Sequence, residues 1–517
     1  MTRTDKPRRD SGLSTETAAD VRIVAKGGAI QIIGQITQRS LSFLFTLVIE
    51  AFFQVGGFGL YRFVTQVLAI GGQLGLAGFN YASMRFIARA RALDDPSGVR
   101  SAARVGLLGS AVASAVVLAV LLAGAGIIAQ PFTSSPGDAG ELAFLLRVGA
   151  PYVPLFAFMQ VLRYSTQAYK TMIPSVVVGN IIQPAMRFIL GVALLVAGFG
   201  ITGAVTTLSI SMGIGVLAAA YYLRRMLSPA ERGAERQPML GPMVKFALPQ
   251  AGTSLLSLQA LGLGVIVLKL FENNVQVGLF GIALALQGPG SVFLSGIVNI
   301  WAPVVSDLYE RGEIERLGFL YKTITRWVAT FSFPIFAALV LFPELFVAIF
   351  GSDAAEAAPL VAILAAGSFL YTGTGPSGYV ISMTGRPGVN FVNSIVGVGF
   401  YIALGLWLVP RYGALGMAIG DAVVTGSVNV VRVIEAKVLV GVQPYGRSFL
   451  KPVSATAAAA AVAVLWRAVF GDAVIISVGG LAVAAAVYLG VLLLMGVDPE
   501  ERHIWETIKT RMLRRRP

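Results

Sequence analysis

Residues 23–49 read IVAKGGAIQIIGQITQRSLSFLFTLVI, a run long enough to cross a bilayer, with bases before it and none just after it. A membrane-spanning helix needs about 20 predominantly apolar residues. The tail leading in carries Arg3, Lys6, Arg8, Arg9, Arg22 and Lys26, whereas the gap from Ala51 to Phe58 carries no base. Lys and Arg are retained on the cytoplasmic side during insertion, so the start of this span is expected inside and its end outside.

The same alternation runs down the chain. Fourteen apolar segments are expected, centred near residues 37, 69, 116, 155, 186, 212, 258, 289, 334, 370, 399, 425, 460 and 485. Arg85, Arg89, Arg91, Arg100 and Arg104 fall in an inner gap, and the segment from Gln130 to Glu141 has no base and two acids. Of the 40 Lys and Arg, all but seven obey the alternation. The exceptions are Arg39, Arg62, Arg147, Arg187, Lys269, Arg411 and Arg467. An even number of spans places both termini in the cytoplasm of a cell-membrane protein.

Composition agrees. With 56% hydrophobic residues and a mean hydropathy of +0.76, a soluble core would expose large apolar patches, so lipid is the solvent. The net charge of +14 then reflects topology and contact with membrane lipids, and no nucleic-acid partner is expected. No cysteine is present, and the single histidine, His503, lies in the polar tail. Thiolate metal sites and histidine-based catalysis are therefore excluded; no cofactor or metal and no enzyme chemistry are expected. The first 20 residues are too polar for a secretory signal, and the first apolar stretch is long enough to remain as a span.

The chain also repeats. An offset of 219 places Lys26 on Lys245, Gln31 on Gln250, and Phe58 to Tyr61 on Val277 to Phe280. An offset of 213 places Pro174 on Pro387, Asn180 on Asn393, Gly200 on Gly413, Gly203 on Gly416 and Arg224 on Lys437. Six spans are thus expected to repeat as six in the same orientation. The reading is an all-α polytopic membrane protein of about fourteen helices. A cytoplasmic tail (1–22) precedes a first lobe (23–224), a charged, Pro-containing linker (225–243) and a second lobe (244–440). Two extra Ala- and Val-rich helices (441–497) packed on the second lobe and a basic amphipathic tail (498–517) on the inner leaflet complete it.

The stretch Thr384-Gly385-Arg386-Pro387-Gly388-Val389-Asn390, then Asn393, then Leu408 to Ala418, resembles the Wzx-type oligosaccharide flippases. Their superfamily, MOP, also holds multidrug MATE exporters and the lipid II flippase MurJ. Lys170 to Pro174 and Phe199 to Ala204 repeat the pattern in the first lobe. The resemblance implies alternating access through a central V-shaped cavity. It also implies a cargo, a polyprenyl-pyrophosphate-linked oligosaccharide, carried from the inner to the outer leaflet for surface polysaccharide synthesis.

Polar residues inside spans mark the cavity independently, because a charge facing lipid at mid-depth costs roughly 2.5 to 3.5 kcal/mol. Gln31, Gln35, Arg39, Ser42 and Thr46 recur at helical spacing along span one, Arg62, Gln66, Gln73 and Asn80 along span two, and Asn180, Gln183 and Arg187 along span five. A guanidinium stays charged when buried and offers paired donors to phosphate, so Arg39 and Arg187 are the expected pyrophosphate ligands and the amides the expected sugar ligands. Two other readings stay open: the amides as interhelical bonds, and Arg62 and Lys269 reaching to the outer surface.

In the second lobe Gln287, Ser291, Ser295 and Asn299 share one face of span eight, and Asp421, Thr425, Asn429 and Arg432 one face of span twelve. Asp421 is the acid deepest inside a span; it is a candidate for H+ or Na+ coupling or for pairing with a cavity arginine. Gln287 to Gly290 and Gly373 to Gly378 should break spans eight and ten, as hinges or as fixed kinks. Two other functions fit less well: a MATE-type cation exporter, which uses cavity acids where span one carries Arg39, and transport of lipid II.

Overall fold

A computed structural model of the chain describes residues 15–255, 262–471 and 473–496. The expectations for the first residues and for the amphipathic tail after 497 lie outside the described residues. Among the described residues the chain is helical, with no strand, and eleven helices are long and apolar enough to cross a membrane by length and composition.

Two of the eleven double back. The helix Thr15–Leu76 contains one non-helical residue, Gln54, at φ 58°. Beyond it the Phe45 and Tyr61 rings meet at 6.2 Å, although a continuous helix would hold them about 24 Å apart at 1.5 Å per residue. Spans one and two are therefore the legs of a hairpin. Likewise Pro387–Glu435 reverses at Gly413, φ 55°, so that the Tyr401 hydroxyl reaches Asp421 twenty residues away at 3.1 Å. A positive φ suits glycine, and Gly200 opens Gly200–Met226 at φ 58°. Gly200 and Gly413 are the pair matched by the 213-residue offset. Span seven falls on Leu240–Leu255 and Leu263–Phe271, on either side of 256–261.

The breaks expected from glycine and proline are present. Gly288–Ser291 is a tight 3-10 turn between Asn274–Gln287 and Val292–Glu310. Ala358–Gly373 and Ser377–Met383 are separated by a turn with Gly375 at φ 61°. Span five contains a π-helical stretch, Val177–Ile182.

At the base-free end the hairpin of spans one and two touches Asn274–Gln287 through backbone. A side chain on Gly59 would collide with the Asn274 carbonyl oxygen, and one on Gly278 with the Val55 carbonyl oxygen. Both glycines and both carbonyls correspond by the offset of 219, so the same kind of contact is made twice.

The linker is pinned at the basic end. Ser228 and Glu231 form a capping box, and Glu231 pairs with Arg91 at 3.5 Å and accepts from the Tyr169 hydroxyl at 3.3 Å. The Gln237 backbone nitrogen donates to Ser101 Oγ at 2.8 Å, so the linker lies along Pro96–Ala129.

Leu450–Phe470 and Val474–Leu494 pack on each other and on Ile314–Leu341, where the Tyr488 hydroxyl donates to the Thr330 carbonyl at 2.7 Å. Orientation is checked by single-cysteine scanning, since the parent has no thiol. An impermeant reagent on whole cells should label cysteines at Ser135 and Ser352 but not at Ser97 or Ser228, and the reverse pattern would invert the topology.

Candidate functional site

Arg39 sits where the polar stripe of span one faces span eight. Pro289, with Gly288 and Gly290 beside it, tightens the helix into a 3-10 turn here, and the Gly288 carbonyl also accepts from Ser291 Oγ at 2.9 Å. Arg39 Nη1 donates to that carbonyl and to Ser291 Oγ at 2.9 Å, and Nη2 donates to Ser295 Oγ at 3.4 Å. A guanidinium of span one thus holds the broken span eight.

The space beside this contact is a cavity of about 370 Å³. Arg39, Arg62 and Gln66 of spans one and two line it, facing Gln287, Tyr401 and Asp421. Arg62 Nε is buried without a partner, so Arg62 points into the protein and does not reach out to the surface. Asp421 accepts a hydrogen bond from Tyr401, and Gln287 Nε2 donates to the Leu364 carbonyl and to Ser368 Oγ at 3.1 and 2.5 Å. Arg187 lies behind this wall: its Nη2 donates to the Tyr61 hydroxyl at 2.6 Å, its guanidinium stacks 5.2 Å over the Phe45 ring, and its charge acts on Arg62. Two arginines and one aspartate on the wall, with a third arginine close behind, leave positive charge in excess. Such a site favours an anion.

A second cavity of about 640 Å³ continues toward the basic end, with Tyr371 and Thr425 lining both. Gln250 lines this inner space together with Tyr81, Asn390 and Arg432. The other expected amides lie elsewhere. Gln183, buried, donates to Ser211 Oγ at 3.2 Å, and Asn180 donates to Gln38 Oε1 at 2.8 Å; both join helices. Gln31 and Gln35 are half-buried on span one, with Gln35 Oε1 unpartnered, and neither lines these two cavities.

The remaining exceptions to charge alternation are tied locally. Arg147 donates to the Leu122 carbonyl, Arg411 to that of Trp407, and Arg467 to that of Leu341 beside Glu344. Lys269 is buried against a pocket of about 410 Å³ with Asp138 and Glu141, and does not extend outward.

Charge alternation assigns Arg163 to an inner gap, but it stands within Tyr152–Gln167 with its Nε buried and unpartnered, in space that Gly179 leaves open. Gln160, Arg163 and Gln167 recur at helical spacing, a stripe that was available to find it. Tyr371 and Tyr401 carried no such signal, because tyrosines in apolar spans are ordinarily packing residues.

A protein-family model described as polysaccharide biosynthesis protein matches residues 24–309. A curated relative, an uncharacterized membrane protein of Methanocaldococcus jannaschii, is 24% identical over 130 residues. That match spans 25% of this chain and 26% of the relative, about a quarter of each.

Among solved structures, the lipid II flippase MurJ in an inward closed conformation superposes with a TM-score of 0.73 at 12% identity, over 90% of this chain and 98% of that one. A multidrug MATE transporter of the MOP superfamily, inward-facing, gives 0.63 at 16% identity over 83% and 96%. A MOP-superfamily transporter from Pyrococcus furiosus, its binding pocket described as of reverse polarity, gives 0.59 at 17% identity over 82% and 96%. At these identities the likeness is one of fold.

Proposed function

We propose, from the premise that this chain belongs to the polysaccharide biosynthesis protein family of MOP-superfamily membrane transporters, that its cargo is a polyprenyl-pyrophosphate-linked oligosaccharide. The observation that supports this reading is the positive excess of the central cavity: Arg39 and Arg62 on its wall, Arg187 behind them, and Asp421 as the one acid among its lining residues. An organic cation would meet net repulsion there. A pyrophosphate would satisfy donors that the protein leaves open, beginning with Arg62 Nε.

In this reading the cargo enters between the lobes at the basic, cytoplasmic end. The lobes then exchange which end is closed, and the lipid-linked glycan leaves toward the outer leaflet of the cell membrane. Asp421, held by Tyr401, is the carboxylate whose loading with H+ or Na+ would reset the empty carrier, because it changes the charge of the same cavity.

The test is transport in proteoliposomes of a fluorescent polyprenyl-pyrophosphoryl sugar alongside an organic cation dye. Flipping of the lipid-linked sugar that depends on an imposed ion gradient, and loses that dependence in Asp421→Asn, is the expected result. Export of the dye with no movement of the lipid-linked sugar would replace this reading by a drug exporter, and selective transport of lipid II would replace its cargo.

A further inference from the structure

We infer that Asn390, Gly378 and Arg432 form a saccharide subsite in the inner cavity, built to hold one hydroxyl of a neutral sugar ring. The inference rests on the cargo reading above and assigns its glycan portion a place. The glycines and prolines of these segments read as turn and hinge features, but the fold also brings Gly378 against Asn390 and Arg432.

Span ten breaks at Gly375 and restarts at Ser377, so Gly378 stands in the first turn of a new helix against span eleven and span twelve. A Cβ placed on Gly378 would lie 3.4 Å from Asn390 Oδ1 and 3.5 Å from Arg432 Nε. Both of those atoms are buried, and both lack a hydrogen-bond partner. Asn390 uses its other end, donating from Nδ2 to Ser382 Oγ at 3.2 Å. What remains at Gly378 is one acceptor and one donor facing the same small space.

A buried polar atom without a partner keeps its full desolvation cost, so two at one spot mark a place where a ligand would recover it. The ligand group must donate to Asn390 Oδ1 and accept from Arg432 Nε at once. A hydroxyl does both, whereas a phosphate oxygen only accepts and an ammonium only donates. The nearby carboxylate of Glu435 accepts from Asn393 Nδ2 at 2.5 Å. The surrounding cavity, about 640 Å³ with Tyr81 and Tyr379 on its wall, falls in the size range of small-molecule sites and offers the mixed aromatic and polar lining that sugar rings fit.

The site also supplies its own plug. Contacts of 3.4 to 3.6 Å are ordinary van der Waals distances, so Gly378→Ala should fold normally while its methyl fills the spot between the two polar atoms. Binding to the full-length protein in lipid nanodiscs would be measured with two kinds of probe: farnesyl pyrophosphate, and farnesyl pyrophosphate carrying a hexose, an N-acetylhexosamine or a hexuronic acid.

In the parent, the hexose or the N-acetylhexosamine should tighten binding about tenfold over farnesyl pyrophosphate, and a gain confined to the hexuronic acid would overturn the assignment to a neutral ring. Gly378→Ala and Asn390→Leu should each abolish that gain while leaving farnesyl pyrophosphate affinity unchanged, which also shows that the variants are folded. A sugar gain that survives both variants, or no gain from any sugar in the parent, would mean the spot holds water only and would overturn the subsite. Absence of binding by farnesyl pyrophosphate itself would overturn the cargo reading first.

Discussion

Replacing Gly59 by valine should raise outward accessibility of the central cavity about tenfold or more. In the closed seam, Gly59 lies against the Asn274 carbonyl and Gly278 against the Val55 carbonyl, both too close for any side chain. Backbone on backbone leaves no flexible atom to give way, so the lobes must part at this end or the helices must shift. Overpacking of this kind costs about 1 to 3 kcal/mol. Every 1.4 kcal/mol is a factor of ten in a two-state equilibrium, and the cost falls only on the state in which this end is closed.

The readout is the rate at which an impermeant thiol reagent, added to whole cells, labels a single cysteine at Thr425, which lines both central cavities. Gly278→Ala should act in the same direction, through the matching contact. Gly56→Ala serves as the control, because a Cβ there would meet Val275 at an ordinary 3.5 Å. Equal labelling rates in the parent and in both seam variants would show that this contact does not gate the cavity.

The legible and illegible parts of this molecule divide along a physical line. Hydropathy and charge alternation locate helices because insertion responds to both, and they also isolate Arg39 as a base inside a span; Arg62 reads equally well as reaching the outer surface, and only its buried, unpartnered Nε turns it inward. The hairpin turns at Gln54 and Gly413 fall in gaps between apolar segments that are too short for a long loop, the first base-free and the second holding Arg411. Helix rotation was not legible. Gln183 and Gln66 carry the same side chain at similar depth, yet one bonds Ser211 between helices and the other lines the cavity.

Contacts between distant spans were hidden for a different reason. Arg39 and Gly288 are 249 residues apart, and local periodicity carries nothing about which faces of two bundles meet. The subsite at Gly378 illustrates the same limit. Its glycine signalled a helix break, and only the packing of spans ten, eleven and twelve shows that the missing side chain leaves room between two unpartnered polar atoms.

Arg39 should prove the residue least tolerant of change. In this conformation it makes three hydrogen bonds to the broken turn of span eight, at the Gly288 carbonyl, Ser291 and Ser295. A pyrophosphate arriving in the adjacent cavity competes for the same guanidinium and offers charge-assisted bonds in place of neutral ones. Taking Arg39 would release the second lobe, so that cargo binding and lobe movement draw on one side chain.

Arg39→Gln removes both functions. Hydrogen bonds to charged groups contribute about 1.5 to 3 kcal/mol each, so farnesyl pyrophosphate affinity should fall roughly ten- to a hundredfold and flipping of the lipid-linked sugar should be lost. Arg39→Lys should restore part of the binding, since an ammonium keeps the charge but not the planar fork. The double substitution of Ser291 and Ser295 by alanine separates the two roles. It takes two of the competing acceptors from Arg39 while leaving its charge, so affinity should stay equal or tighten even as the lobes part more readily. Weaker pyrophosphate binding in that double variant, or full transport by Arg39→Gln, would show that Arg39 does not join cargo to lobe movement.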